Sequence, residues 1–265
     1  MTFQPVLIGT GLAGWAALKR SAPAQQARLE ASPEMARDAA YFRERIGSIA
    51  TADQLVADRR LLRISLEAFG LEGDLNARAL IRKVLEEGTL RPDSFANRLA
   101  DKRYARLSAA FGFGDFSTPR TRLSTFADEI LKQRGVQRFE AAVGTRDTNL
   151  RLALDAERGL AELARGRGSE TTKWFNLMGS PPLRRVVETA LGLPSSVATL
   201  DLDRQLSIFR DRAAAQWGGD AVSRLADPTL REDVIRRFLL RATAESAAPA
   251  APALTLLSNV MFRRL

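Results

Sequence analysis

A single helical segment occurs twice in the chain, and this repetition constrains the fold more than any other feature. Residues 61–71 (LLRISLEAFGL) align without gaps on residues 183–193 (LRRVVETALGL), at an offset of 122 residues. Both copies carry apolar residues at the spacing of an amphipathic helix, and both end in Gly followed by Leu. We therefore predict that Gly70 and Gly192 are left-handed helix stops, after which the next apolar residue folds back on the helix.

A second repeated feature is a junction formed by Ala and Asp. Residues 98–101 (RLAD) recur as residues 224–227, at an offset of 126 residues, and a third Ala-Asp pair ends at Asp58. Pro228 follows the last copy, and Pro suits the first helical position directly after an N-cap. The Asp carboxylate would then accept hydrogen bonds from free backbone N–H groups of the next helix. In the other two copies Arg or Lys follows instead, so a continuous helix is an alternative there.

Two matches at nearly one offset indicate a tandem duplication. We predict an all-α, multihelical fold in which short-helix/long-helix units form two pseudo-equivalent halves. An aromatic content of only 7%, beside abundant Ala and Leu, favours helix over sheet. The predicted order is an N-terminal arm, a first helical half, connecting helices, a second helical half, and an Ala/Pro linker with an amphipathic tail. These parts span residues 1–32, 33–119, 120–178, 179–245 and 246–265.

The absence of two residue types excludes most catalytic chemistry. The 265-residue chain contains no Cys and no His. Without Cys it has no disulfides, thiolate nucleophiles or Cys-ligated metals. Without His it has no Ser-His-Asp or Cys-His pair and no His-containing zinc or non-haem iron site. Only carboxylate, Lys, Tyr or Ser chemistry remains. We predict a non-enzymatic protein that uses no cofactor and no metal.

One motif near the N-terminus is typical of dinucleotide binding. Residues 9–14 (GTGLAG) fit G-x-G-x-x-G and follow the apolar residues 6–8. That fingerprint also requires a second strand ending in an acidic residue about 20 residues further on. Residues 21–30 have no β-branched run, and no further strand-helix-strand unit follows. We therefore interpret the segment as a Gly-rich arm whose Trp15 and Leu18 dock on the core.

Several carboxylates and one loop could be mistaken for catalytic or metal sites. The three junction Asp residues are better explained as helix N-caps, because they share one position in a repeat. Asp201 and Asp203 resemble a metal pair, but Asp is favoured in the first turn of a helix, and we predict that they begin one. Residues 166–173 have the residue types of a phosphate loop without its spacing, which indicates a polar loop between helices.

The chain is basic, with 40 Lys and Arg against 31 Asp and Glu and a formal net charge of +9. A nucleic-acid binder gathers such charge on one face or in a tail, whereas here Arg is spread beside Asp and Glu. We interpret the charge as solvated helix faces, and nucleic acid is not the expected partner. No apolar run reaches the ~20 residues of a membrane span. The apolar run at residues 6–18 lacks a preceding Lys or Arg, so we expect no cleavable signal peptide.

The C-terminal segment is a candidate partner-docking element. Its apolar residues recur at helical spacing, so that one face carries Leu254, Leu257, Met261 and Leu265. A helix this short is marginal in water unless it folds against a surface. That surface could belong to a partner protein, to a second copy of the chain or to the chain's own core, and the sequence leaves these alternatives open.

Several phrases of the sequence resemble the domain of unknown function 1217 family. They are residues 41–47 (YFRERIG), 56–63 (VADRRLLR), 81–88 (IRKVLEEG), 179–184 (GSPPLR) and 190–194 (ALGLP). The resemblance covers residues 1–241. It implies a bacterial protein with a multihelical fold of repeated short helix pairs, often encoded among flagellar genes, and it carries no catalytic residues.

With this resemblance we expect an interaction or assembly protein of the flagellar system, whose partner is a protein, with a flagellar component as the candidate. It would act in the cytoplasm or be exported through the flagellar apparatus. The alternative is a basic nucleic-acid-binding or regulatory protein, which the net charge of +9 favours.

Overall fold

The computed structural model describes residues 3–247, and within them the chain is helical with no β-strand. The predicted all-α fold is therefore confirmed. The helices are α1 Gly11–Glu30, α2 Pro33–Ile46, α3 Ala52–Ala57, α4 Arg59–Ala68, α5 Arg78–Glu87, α6 Phe95–Arg98, α7 Lys102–Phe111, α8 Phe126–Gly144, α9 Thr148–Arg165, α10 Glu170–Met178, α11 Pro181–Leu191, α12 Leu202–Trp217 and α13 Pro228–Ala247.

The apolar side chains form two cores. The first lies among α2 to α5, α7 and the beginning of α8, around Phe42, Leu62 and Phe111. The second lies among α1, the end of α8 and α9 to α13, around Trp174 and Phe238. Each core is built as expected from amphipathic helices that turn one apolar face inward.

Helix α8 belongs to both cores. Its first half places Phe126 and Ile130 in the first core, and its second half places Phe139 and Val143 in the second. Between them lies Arg134, whose side chain has no solvent exposure. A 19-residue helix is long enough, at 1.5 Å per residue, to run through both cores and connect them.

The predicted Asp junctions are confirmed as helix N-caps. Asp58 has extended backbone, which separates α3 from α4, and its Oδ1 accepts from the N–H groups of Arg60 and Leu61 at 3.0 Å. Asp101 accepts from the N–H of Arg103 at 2.9 Å. Asp227, which immediately precedes α13, accepts from the N–H of Thr229 in the first turn of that helix at 2.9 Å, and the helix begins at a Pro. The alternative of a continuous helix does not occur at these positions.

The predicted helix stops are also confirmed. Gly70 and Gly192 have φ values of 69° and 67°, a region that L-residues with a side chain rarely adopt. In each case the next residue folds back: the N–H of Leu71 donates to Leu66 O at 2.9 Å, and the N–H of Leu193 donates to Glu188 O at 3.0 Å. These bonds satisfy backbone carbonyls that the helix end leaves free.

The predicted duplication into equivalent halves is not confirmed. The repeated segments 61–71 and 183–193 share their stops, but their surroundings differ. The first belongs to the first core, where α4 packs on α8, and the second belongs to the other core, where α11 packs on α9 and α13. The tandem duplication therefore stays a prediction from the sequence.

The N-terminal residues differ from the expected Gly-rich arm, because they form the 20-residue helix α1. The expected docking of Trp15 and Leu18 is confirmed, since both are 1% exposed. The indole N–H of Trp15 donates to Glu232 on α13 at 3.2 Å, and Lys19 bonds the same carboxylate at 2.8 Å. Ala-rich composition explains the helix, which continues through Pro23.

At the other end, α13 continues to Ala247, so the first two residues of the expected Ala/Pro linker are helical. The candidate docking residues Leu254, Leu257, Met261 and Leu265 lie outside the residues that the structure describes. No helix in the described part is long and apolar enough to cross a membrane.

Candidate functional site

The carboxylate of Asp58, one of the residues that could be mistaken for a catalytic group, is fully engaged. Besides the two backbone amides at its Oδ1, its Oδ2 accepts from the hydroxyl of Tyr41 at 2.6 Å. Burial would raise the pKa of Asp58, but these hydrogen bonds outweigh it and hold the pKa below its usual value. The same bonds leave the carboxylate few lone pairs for a substrate. They fix it at the start of α4, where it caps the helix.

Asp201 and Asp203, which resemble a metal pair, lie at the start of a helix. Asp201 is the N-cap of α12 and accepts from the N–H of Arg204 at 2.9 Å, as predicted. Asp203 lies exposed in the first turn of that helix. No group of three acidic side chains suited to a metal ion occurs within residues 3–247.

The segment with phosphate-loop residue types is a loop over only part of its length. Gly166 ends α9, and the side chain of Ser169 caps α10 by accepting from the N–H of Thr172 at 3.1 Å. The expectation of a loop through Lys173 was wrong, because this cap starts the helix earlier. The Lys173 ammonium is buried and donates to Ala164 O at 2.9 Å, so it holds the end of α9.

The Gly-rich motif at residues 9–14 leads into α1, but in the described chain no β-strand precedes it. The backbone of Val6 pairs instead with a side chain. Its N–H donates to Gln25 Oε1 at 2.7 Å, and its O accepts from Gln25 Nε2 at 3.0 Å. The extended segment is therefore fixed to α1 and does not join a dinucleotide-binding sheet.

A buried ionic cluster, which the sequence patterns did not predict, lies between the helices. Arg134 on α8 donates from Nε to Glu67 Oε2 at 2.6 Å and from Nη2 to Asp38 Oδ2 at 2.7 Å. Asp38 also accepts from Arg60 at 2.9 Å and from Arg63 at 2.8 Å. The cluster joins α2, α4 and α8. A sequence signal existed, since Arg134 continues the apolar i, i+4 stripe of α8.

Hydrogen bonds within the cluster favour the charged forms of Asp38 and Arg63. Burial would raise the pKa of Asp38, but hydrogen bonds from Arg63, Arg134 and Arg60 outweigh it and lower the pKa below its usual value. Burial would lower the pKa of Arg63, yet its bonds to Asp38 and Glu67 raise it. Structural ion pairs can shift the pKa of a side chain, as active sites do. The ion pairs of this cluster lie between packed helices.

A second ion pair, with a buried carboxylate and a partly exposed arginine, links α8 to α9. Arg158 donates to both oxygens of Glu140, each at 3.2 Å. Burial raises the pKa of Glu140 above its usual value, because the attraction of Arg158 offsets only part of the desolvation. Arg158 also bonds Asp155, at 2.7 Å. This pair connects two helices of the second core.

Several large apolar side chains are exposed on the surface. Across residues 3–247 the exposed large apolar side chains are Val6, Ile8, Leu90, Phe116, Leu123, Leu200, Leu202 and Leu240. Three of them, Leu90, Phe116 and Leu123, lie on the loops 88–94 and 112–125, which hydrogen bonds join. We call the exposed side chains Leu90, Phe116, Arg120, Arg122 and Leu123 the two-loop surface.

Asp115 holds the two loops together. Its Oδ1 accepts from the N–H of Thr89 at 2.6 Å and from the N–H of Leu90 at 2.9 Å, and its Oδ2 accepts from the Thr89 hydroxyl at 2.9 Å. Leu90 is thereby placed beside the residue that precedes Phe116. Exposed apolar side chains that lie close together are typical of protein-binding surfaces.

Comparisons with known proteins agree with this fold. The family described as "Protein of unknown function (DUF1217)" matches residues 68–230. The crystal structure of a structural-genomics protein from Agrobacterium tumefaciens is similar, with a TM-score of 0.75 and 26% sequence identity. The similarity covers 92% of this chain and 98% of that chain. No curated protein matches the sequence.

Proposed function

The chain belongs to the DUF1217 family, and from that premise we propose that it is a non-enzymatic interaction or assembly protein of the bacterial flagellar system. Its partner would be a protein, in the cytoplasm or along the flagellar export route. The flagellar part of the proposal comes from the family resemblance. The interaction part comes from the surface of this molecule.

The observation that carries the interaction proposal is the exposure of apolar side chains on fixed loops. Leu90 is 68% exposed, Leu123 is 58% exposed and Phe116 is 43% exposed. Exposure of apolar side chains to water is unfavourable in free energy, and apolar patches on soluble proteins often mark contact surfaces. The aromatic ring and the neighbouring arginines are residue types enriched at protein interfaces.

The engagement of carboxylates between the helices supports a role without catalysis. Asp38 and Glu67 are bound by arginines, and Asp58 is bound by backbone amides and Tyr41. A general acid or base needs a lone pair or proton directed at a substrate. In these residues the oxygens are directed at neighbouring helices, where they contribute to the stability of the fold.

The second candidate function, nucleic-acid binding, is favoured only by the net charge of +9. A salt-dependent gel shift distinguishes it. A protein that neutralises many phosphates loses roughly 10³-fold or more in affinity between low and moderate salt. We expect no shift for duplex DNA, single-stranded DNA or RNA at moderate salt.

The proposed function is tested by affinity purification of the tagged, full-length chain from its native cell, followed by mass spectrometry. We expect a flagellar protein to be enriched over a tag-only control. Reciprocal purification with that protein should recover the chain. Enrichment of nucleic-acid-associated proteins that nuclease treatment releases would support the second candidate instead. The absence of any reproducibly enriched protein would contradict the proposal.

A further inference from the structure

The two-loop surface is fixed before any partner binds. Besides the bonds to Asp115, the side-chain amide of Asn97 donates to Thr89 O and to Arg91 O, both at 2.8 Å. In the second loop the buried Thr121 hydroxyl donates to Ile49 O at 2.6 Å. A surface that is already ordered loses little conformational entropy when it binds, which favours affinity.

The charge on this surface is positive. The guanidinium of Arg120 lies 5.2 Å from the ring centre of Phe116, and Arg122 is exposed two residues further on. Neither arginine forms an ion pair with a described residue. Asp93 pairs with Arg91 at 3.0 Å, and the remaining charges on the two loops are the Asp115 carboxylate, which backbone amides hold, and the two arginines. The loops therefore carry a net positive charge, with Arg120 beside the ring of Phe116 and Arg122 next to Leu123 in the sequence.

This charge distinguishes the occupants that could cover the surface. A second copy of the chain carries a net charge of +9 and is repelled at long range. The chain's own C-terminal residues include Arg263 and Arg264, whose charge is also of the same sign. An acidic segment with apolar side chains is complementary in both respects, since it offers carboxylates to the guanidinium groups and apolar groups to Leu90 and Phe116.

We propose that the two-loop surface binds an acidic, apolar peptide segment of a partner protein. Carboxylates of that segment face Arg120 and Arg122, and its apolar side chains pack on Leu90 and Phe116. This inference rests on the proposed interaction function, and it adds the surface and the chemical class of the partner. It makes no claim about which flagellar or other protein supplies the segment.

The test is selection of a phage-displayed library of random peptides on the immobilised full-length chain. We expect the enriched sequences to combine Asp and Glu with Leu or Phe. Binding of the enriched peptides, measured by fluorescence anisotropy, should weaken about tenfold or more in Leu90→Ser and in Phe116→Ser, since burial of one such side chain contributes roughly that factor. Arg122→Glu should weaken acidic peptides similarly by charge reversal.

Matched controls carry the same changes on other surfaces. Leu202, which is 54% exposed on α12, serves as Leu202→Ser, and the exposed Arg212 serves as Arg212→Glu. Both should bind the peptides as the wild type does. All variants change exposed side chains, and unchanged melting temperatures would show that each one is folded.

The remaining outcomes overturn the inference in distinguishable ways. Enriched peptides without acidic residues, or binding that only the control variants weaken, would place the contact elsewhere while leaving the interaction function intact. Sedimentation showing a dimer that Leu90→Ser dissociates would make a second copy the occupant. Failure to enrich any peptide would contradict peptide binding by the two-loop surface. The affinity purification from the native cell would still test the proposed function.

Discussion

Arg134 on α8 and Glu67 on α4 form a 2.6 Å hydrogen-bonded ion pair in which the arginine side chain has no solvent exposure. The same arginine binds Asp38 on α2 at 2.7 Å. One cation thus holds two buried carboxylates from two other helices. Because a buried charge without its partner is costly, this arrangement makes the first core sensitive to a single substitution.

We predict that Arg134→Met lowers the free energy of unfolding by about 3 kcal/mol, the lower end of the cost of breaking a buried ion pair, since Asp38 and Glu67 lose this partner but keep their other arginines. Urea unfolding measures this change. The control is Arg43→Met, which removes an exposed ion pair with Asp128 and should cost less than about 1 kcal/mol. Equal effects of the two substitutions would contradict a special role for the buried arginine.

Stability should depend on pH through Asp38. Its pKa in the folded chain is lowered from 3.8, so folding is favoured by its ionised form above that value. As the pH falls through 3.8 towards the folded pKa, this contribution is lost. Urea unfolding over a series of acidic pH values should show the decrease.

The variant Asp38→Asn should reduce that pH dependence, although Asp58 and Asp101, whose pKa values are also lowered, retain their share. Glu140 acts in the opposite direction, because burial raises its pKa and its proton is held more tightly in the folded chain. A pH profile that Asp38→Asn leaves unchanged would show that Asp38 does not contribute.

The helix stop at Gly192 should not tolerate a side chain. Gly192→Ala places a Cβ at φ 67°, which costs roughly 1–2 kcal/mol, and that atom would overlap the guanidinium of Arg241. The control is Gly47→Ala, where the backbone is right-handed and nothing lies within 4 Å of the new Cβ. Thermal unfolding should show a clear loss for the first variant and little change for the second. Equal melting temperatures would be inconsistent with the stop.

The C-terminal tail provides a prediction that depends on the sequence alone. We expect that deletion of residues 247–265 leaves the melting temperature nearly unchanged and weakens recovery of the partner in affinity purification. The apolar face of Leu254, Leu257, Met261 and Leu265 would then bind a partner. A fall of several degrees, as expected from loss of ~1–2 kcal/mol, would instead make the tail part of the core.

The sequence alone determined the features that depend on neighbours a few residues away. The caps at Asp58 and Asp227 and the stops at Gly70 and Gly192 are predictable because their hydrogen bonds join residues at most five positions apart. The resemblance to the family was also readable from short phrases. In contrast, the Gly-rich composition of residues 166–173 predicts a loop through Lys173, whereas the cap at Ser169 starts α10 before it.

The tertiary structure decided which of these local elements meet. Arg134 lies 67 residues from Glu67 and 96 residues from Asp38, so no local pattern pairs them. The two repeated segments have similar sequences but different neighbours, since α4 packs on α8 and α11 packs on α9 and α13. Their similarity therefore does not predict what surrounds them. The two-loop surface depends on Asp115 meeting Leu90 across 25 residues. Local hydrogen bonds place the helices along the chain, whereas burial of apolar and ionic groups between distant segments determines how they pack.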